Sequence, residues 1–186
     1  MMPEIEIKVL GIDLDKVVTR LEALGAKQLF AGTVSCLHFD NEDRSIRKSK
    51  SLWRLRRWAG DEGFPSKFEI CYKGKKEIID GCKVREEIET TVEDADKYEA
   101  MLNALGYQPK MDNDKRRLSY ELNDFHVDID SYPQVPVYLE IEGANREVID
   151  RALDLLELRE CEESTESADE LFKRLWPEID FDHLKF

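Results

Sequence analysis

No two cysteines of the chain stand in C-x-x-C spacing; the four present, Cys36, Cys71, Cys82 and Cys161, are scattered. A chain of 186 residues needs no covalent staples, so they read as reduced thiols and not as disulfides or a zinc site. His38, His126 and His183 are likewise too dispersed for zinc. No stretch approaches the ~20 apolar residues of a membrane span, and the N-terminus lacks the basic, apolar and small-residue segments of a signal peptide. Positive charge is short too: 28 Lys and Arg against 41 Asp and Glu leave a net charge of −13. A nucleic-acid coat or an anionic membrane partner would need a basic field, so neither is expected. These absences predict a cytoplasmic protein with no nucleic-acid and no membrane partner.

What remains suffices for a core, with 41 % hydrophobic residues. The length predicts a single domain over residues 1–186, with a C-terminal helical segment at about 145–186. Period-two stretches recur at Glu4–Leu10, Val34–Asp40, Leu52–Trp58, Lys67–Lys73, Val84–Thr91, Lys115–Leu122, Phe125–Asp130 and Val137–Glu142. Turn-rich links such as AGDEGFPS, KGKK and LND separate them, which predicts about eight strands. Helical periodicity appears at Asp13–Ala26, where Val17, Val18, Leu21 and Leu24 form one stripe and Gly25 supplies the stop. A strand carrying E-I-E followed by such a helix returns at Glu93–Tyr107 and Asn145–Leu158, a weak internal similarity. One more helix, Ser167–Leu175, ends at Trp176-Pro177.

Residues two apart in a strand share a face. Applied to every strand, that parity sorts the chain into two sets. Ile5, Ile7, Val9, Leu55, Ile70, Tyr72, Leu118, Val127, Ile129, Leu139 and Ile141 belong to a set that is apolar almost throughout. The opposite set holds Glu4, Glu6, Lys8, Arg54, Arg56, Glu69, Lys73, Arg85, Glu87, Glu89, Lys115, Arg117, Asp128, Asp130, Glu140 and Glu142. An ordinary solvated face would mix Thr, Ser and Gln with single charges. Here carboxylates and arginines come doubled at i and i+2. If helices cover the apolar face, the strands curl until the charged faces oppose one another across a closed or nearly closed barrel. Doubled carboxylates repel unless a hard divalent cation lies between them, and clustered Arg and Lys suit phosphate. A ligand that needs both is a metal-chelated polyphosphate.

The ordered motifs E-x-E-x-K (Glu4–Lys8), LWRLRR, YKG, REEIE, KRR, DID and YLEIEG resemble the CYTH-domain family of triphosphate tunnel metalloenzymes, over about Pro3 to Gly143. The resemblance implies an α+β fold: an antiparallel eight-stranded β-barrel, the triphosphate tunnel, with helices packed outside. Family members hydrolyse triphosphates with Mg²⁺ or Mn²⁺, or, as class IV adenylyl cyclases, convert ATP to cyclic AMP. Carried over by position, Lys8, Arg54, Arg56, Lys73 and Arg85 would be catalytic and, with Lys115 and Arg117, would bind the triphosphate. Glu4, Glu6, Glu87, Glu89, Asp130, Glu140 and Glu142 would be metal ligands. Asp128 competes with Asp130, which is favoured; Lys83 competes with Arg85, which parity favours. Many relatives carry Gly-Leu-Gly before the last E-x-E where this chain has SYPQVPVY, so substrate choice can differ.

Three functions follow: a metal-dependent triphosphate hydrolase, an adenylyl cyclase, or a binder of polyphosphate or nucleotide without turnover. The full acidic complement makes the third less attractive. No G-x-x-x-x-G-K loop occurs, so side chains must hold the phosphates. A cyclase needs a base pocket, for which Trp58 is the one stacking candidate, though rim packing is the commoner role of such a residue. His126 shares parity with Asp128 and reads as structural before proton relay; Cys71 reads as a small inward residue. The basic run RSIRKSK (Arg44–Lys50) reads as a solvated loop. Outer helices on a barrel leave room for a homodimer.

Overall fold

The computed structural model describes residues 4–186; Pro3, where the resemblance begins, lies outside them. In chain order the elements are β1 (Glu4–Leu10), α1 (Leu14–Ala23), β2 (Lys27–Asp40), α2 (Ser45–Lys48), β3 (Leu52–Gly60), β4 (Lys67–Lys73), β5 (Glu77–Ile79), β6 (Cys82–Arg85), β7 (Glu87–Val92) and α3 (Ala95–Ala104). There follow β8 (Gln108–Leu122), β9 (Phe125–Ser131), β10 (Tyr138–Gly143), α4 (Arg146–Leu155), β11 (Glu162–Ser164), α5 (Ala168–Leu175) and a 3₁₀ turn (Phe181–His183). The three strand-helix repeats start alike: the side chains of Asp13, Asp94 and Asn145 cap α1, α3 and α4 by accepting the N–H of Lys16, Lys97 and Val148.

The sheet has eleven strands among the described residues, not eight, and it curls without closing. Its order is β5-β6-β1-β10-β9-β8-β2-β3-β4-β7, with β11 also on β1 and every pairing antiparallel. The predicted strand Val84–Thr91 breaks at Glu86: β6 pairs with β1 and β7 with β4, at opposite sides of the curl. The sides meet through the chain itself and through the Gly74 N–H, which donates to Glu86 O at 2.9 Å. β2 and β8 are longer than predicted. β2 bulges between Gln28 and Phe30 and crosses β3 at Gly32, where a Cβ would sit 2.2 Å from Ala59 O.

The apolar set forms the outer face. Ile7, Val9, Val127, Ile129, Leu139 and Ile141 pack against Val17 and Leu21 of α1 and Ile149, Ala152 and Leu153 of α4. On β3 and β4, Leu55, Trp53 and Ile70 pack with Ala95 and Leu102 of α3. Tyr72 and Ile88, directly opposed on β4 and β7, depart from the pattern and are exposed. α5 carries Leu171 and Phe172 onto Tyr132, Tyr138 and Phe181 at one end of the curl. Among the described residues no helix is long and apolar enough to cross a membrane.

Candidate active site in the tunnel

Antiparallel pairing places directly opposed residues on one face. Glu4 therefore stands opposite Arg85, Glu6 between Lys83 and Glu142, and Lys8 opposite Glu140. The charged set lies inward: Glu6, Lys8, Arg56, Glu69, Lys73, Lys83, Lys115, Arg117 and Asp130 are all buried. They surround a cavity of about 850 Å³, within the ~300–1,000 Å³ of small-molecule sites. Every predicted site residue lines it except Asp130, which lies behind its cations; Asp128 lines it instead.

Buried charge needs partners, and most of the lining has them. Both oxygens of Glu4 accept from Lys73 Nζ at 2.7 Å, and Lys73 also reaches Glu87 at 2.7 Å. Arg54 lies 3.6 Å from Glu87. Lys83 donates to Glu6 at 2.5 Å, Lys8 pairs with Glu140 at 2.7 Å, and Glu140 takes Arg117 at 3.0 Å. Asp130, fully buried, accepts from Lys115 at 2.6 Å and from Arg117 at 2.7 and 2.6 Å, while Arg117 also pairs with Asp128. Arg56 binds Glu89 at 2.7 Å and pairs with Glu69. Arg85 turns to main-chain oxygens, those of Gly74 and Lys50. Lys83 and Arg85 are two apart and share the inner face, so parity does not separate them; Lys83 is the more buried.

The carboxylates divide by field. Burial pushes the Asp130 carboxyl up, yet Arg117 and Lys115 hold it below the usual range. Glu6 is likewise held low, with Lys83, Lys8 and Lys73 outweighing burial and Glu140. Burial, then Glu6, push Glu4 up to about 8 in spite of Lys73. Desolvation by the tunnel walls, then Glu6, push Glu142 up to about 7. Glu142 has no ion pair among the described residues. A crowd of Glu4, Glu6 and Glu142 with too little cationic charge fits a hard divalent cation with oxygen ligands. Cys71, Glu87 and Glu89 also bring ligand atoms within 4.8 Å of one another. Their carboxylates already carry Lys73, Arg54 and Arg56, just as Glu4 carries Lys73 and Glu6 carries Lys83, so at either group a cation would displace existing pairs; of these carboxylates Glu142 alone brings no pair to break among the described residues.

The raised groups predict a pH dependence. Between about pH 6.5 and 8 the folded, metal-free protein holds protons on Glu4 and Glu142 that the unfolded chain has released, so stability falls as pH rises through this range. Below it, His38, held neutral in the fold, contributes in the opposite sense. Thermal melts in chelator are expected to show the midpoint dropping over that interval, and millimolar Mg²⁺ is expected to flatten it. A midpoint that climbs instead would contradict the assignment of these two carboxyls.

Several inward residues were not on the predicted site, and three of them stand beside its cations. Lys83 is one; Glu69, beneath Arg56 and Lys67, is another. The third is His38, whose strand neighbours Val34 and Cys36 give no charged pattern to flag it. His126, opposite Glu142, is exposed. Trp58 has Arg56 and Lys67 5.1 and 4.7 Å from its ring centre and Phe30 edge-on at 4.9 Å. Ser45–Lys48 of the basic run form the short α2, and Arg47 pairs with Asp169 of α5 at 3.3 Å.

The model of the family described as the CYTH domain matches residues 2–173. The chain belongs to the CYTH domain family. One CYTH relative, from Methanocaldococcus jannaschii and named as a candidate adenylate cyclase, is 31 % identical over 159 residues, 86 % of this chain and 87 % of its own. Two solved structures share the fold. A candidate adenylate cyclase of Vibrio parahaemolyticus superposes with a TM-score of 0.76 at 16 % identity, covering 92 % of this chain and 98 % of the other. A Hippeastrum protein, described as a candidate adenylyl cyclase with a dominant triphosphatase activity, gives 0.65 at 15 % identity, covering 93 % and 94 %.

Proposed function

We propose that this CYTH chain hydrolyses an inorganic or organic triphosphate inside its tunnel, with Mg²⁺ or Mn²⁺. The observation that carries the reading is a pair of orphaned donors: Arg54 Nε and Arg56 Nε are buried and make no hydrogen bond within the protein. A buried unpaired donor is costly, and phosphate oxygens are the acceptors a guanidinium fork suits best. Lys8, Lys73, Arg85, Lys115 and Arg117 converge on the same cavity and would take the remaining oxygens. Asp130 is then the anchor that aims Lys115 and Arg117. Glu4, Glu6, Glu140 and Glu142 are the carboxylates that would hold a divalent cation, with Glu87 and Glu89 as outlying candidates. When bound, such a cation supplies charge neutralisation on the phosphates and a lowered water pKa. The chain itself binds and orients the triphosphate and stabilises the charge that moves onto the leaving phosphate. Water is the attacking group: burial pushes the Cys71 thiol up to about 11, far from a nucleophilic thiolate.

The Hippeastrum neighbour supports this reading in that its fold accommodates triphosphatase chemistry. The name of the M. jannaschii relative favours a second reading, adenylyl cyclase. Against it, the Trp58 ring already carries Arg56 and Lys67 near its centre and Phe30 edge-on, contacts that adenine would have to displace or share. The proposal extends to a cytoplasmic protein whose partner is a small triphosphate.

The test is a product assay with inorganic triphosphate, ATP and thiamine triphosphate, each with Mg²⁺ and Mn²⁺. Orthophosphate is expected; cyclic AMP with diphosphate would establish the second reading, and binding without product would overturn both. Arg54→Ala is expected to raise KM for the preferred substrate roughly tenfold to a hundredfold, the range of one or two hydrogen bonds to a charged group. Steady-state kinetics checks it, and an unchanged KM would remove Arg54 from the phosphate site.

A further inference from the structure

His38 lies on β2 opposite Arg54 of β3 and Met111 of β8, and its half-buried ring lines the tunnel cavity. The charges that act on it most are cations from three elements, each with a carboxylate partner of its own: Arg54 (Glu87) and Arg56 (Glu69 and Glu89) on β3, Lys115 (Asp130) on β8 and Arg47 (Asp169) on α2. From its own strand come the Cys36 thiol and the Asp40 carboxylate, the latter committed to the main-chain N–H groups of Asn41, Ile46 and Arg47. Its ring nitrogens make no hydrogen bond to another protein group among the described residues. An imidazole is a poor choice of filler there, since protonation would add a further positive charge to a cationic wall. Burial, then Arg54, Lys115 and Arg56, hold it down to about 3, so in the protein alone it is neutral at ordinary pH.

We propose that His38 is a triphosphate-binding residue that takes up a proton when the polyphosphate enters. The inference rests on the triphosphate reading above. Three of the four cations around His38 are the ones that reading assigns to phosphate. A polyanion among them reverses the field at the ring: the repulsion that excluded a proton becomes attraction, and the imidazolium offers an N–H donor on each nitrogen. A neutral histidine thus costs nothing in the resting tunnel and becomes a further cation only with the correct ligand present. Proton uptake is expected to make affinity for triphosphate rise as pH falls toward the ordinary histidine range.

The ring can be followed directly. The chain has three histidines, and His38→Gln identifies the His38 Cε1–H resonance in a ¹H–¹³C spectrum. In chelator, the wild-type His38 signal is expected at the neutral position at about pH 6 and at the imidazolium position after saturation with inorganic triphosphate. His38→Gln is expected to weaken triphosphate binding about tenfold at about pH 6, and about twofold or less at about pH 8.5. If triphosphate moves other tunnel resonances while His38 stays neutral, the inference is overturned and the triphosphate reading stands. If no resonance moves, both fall.

Discussion

Glu142→Gln is expected to reduce metal-dependent turnover by about 10³-fold, the upper end of what one preorganised electrostatic group contributes, while leaving the fold intact. The two halves of this result come from one feature. Glu142 crowds Glu6, directly opposite on β1, and has no cation of its own among the described residues. Its removal strands no Lys or Arg, and it relieves a carboxyl already pushed up to about 7. The metal-free melting midpoint should therefore hold or rise. Glu6→Gln is a less clean experiment, because Glu6 neutralises Lys83 and Lys8. Turnover and melting, measured on the same Glu142→Gln preparation with and without Mg²⁺, check the prediction. Wild-type activity at ordinary metal concentration would remove Glu142 from the metal site.

Asp130→Ala should act on the fold first. Asp130 is fully buried and holds both Lys115 and Arg117, themselves buried. Breaking such a cluster from the acidic side leaves uncompensated cations, which costs roughly 3–5 kcal/mol. Arg117 keeps Glu140 and Asp128, whereas Lys115 loses its one carboxylate. Urea denaturation reads the loss, and Asp130→Asn, which keeps one acceptor oxygen, should lose less. A polyanion can replace part of the missing charge. Inorganic triphosphate at ~100 times its Kd for the variant should restore about 2.7 kcal/mol. Stability that is lost and does not respond to triphosphate would separate Asp130 from the binding site.

The inner and outer faces were legible in the sequence because doubled charges at i and i+2 are rare on an ordinary strand. The helices were legible too: Asp13 and Asn145 cap two of them where the pattern begins, and Asp94 caps the third one residue inside the predicted start at Glu93. The first halves of β2 and β8 were not. Gly32 and Pro109 read locally as turn residues, and only the tight crossing over Ala59 and the long β2–β8 ladder keep that backbone extended. Nor was the break at Glu86 read: no Gly or Pro marks it, and its one signal is a charge at an apolar-parity position; the bend is imposed by two sheet edges competing for one strand. Lys83 escaped because two residues of equal parity cannot be ranked by parity. For Asp130 the sequence shows type and face, and the structure adds that Lys115 and Arg117 stand before it.

β1 is an interior strand, third in the sheet order, with β6 and β11 on one side and β10 on the other. All three partners come later in the chain, the last of them at Glu162–Ser164. During synthesis from the N-terminus, β1 thus emerges before every strand it pairs with and waits for all of them. Until β10 arrives, Glu4 and Glu6 are ordinary carboxylates in water, and the strained charge at this end of the tunnel does not exist. The wall that makes the site unusual is assembled only when nearly the whole chain is available to hold it together.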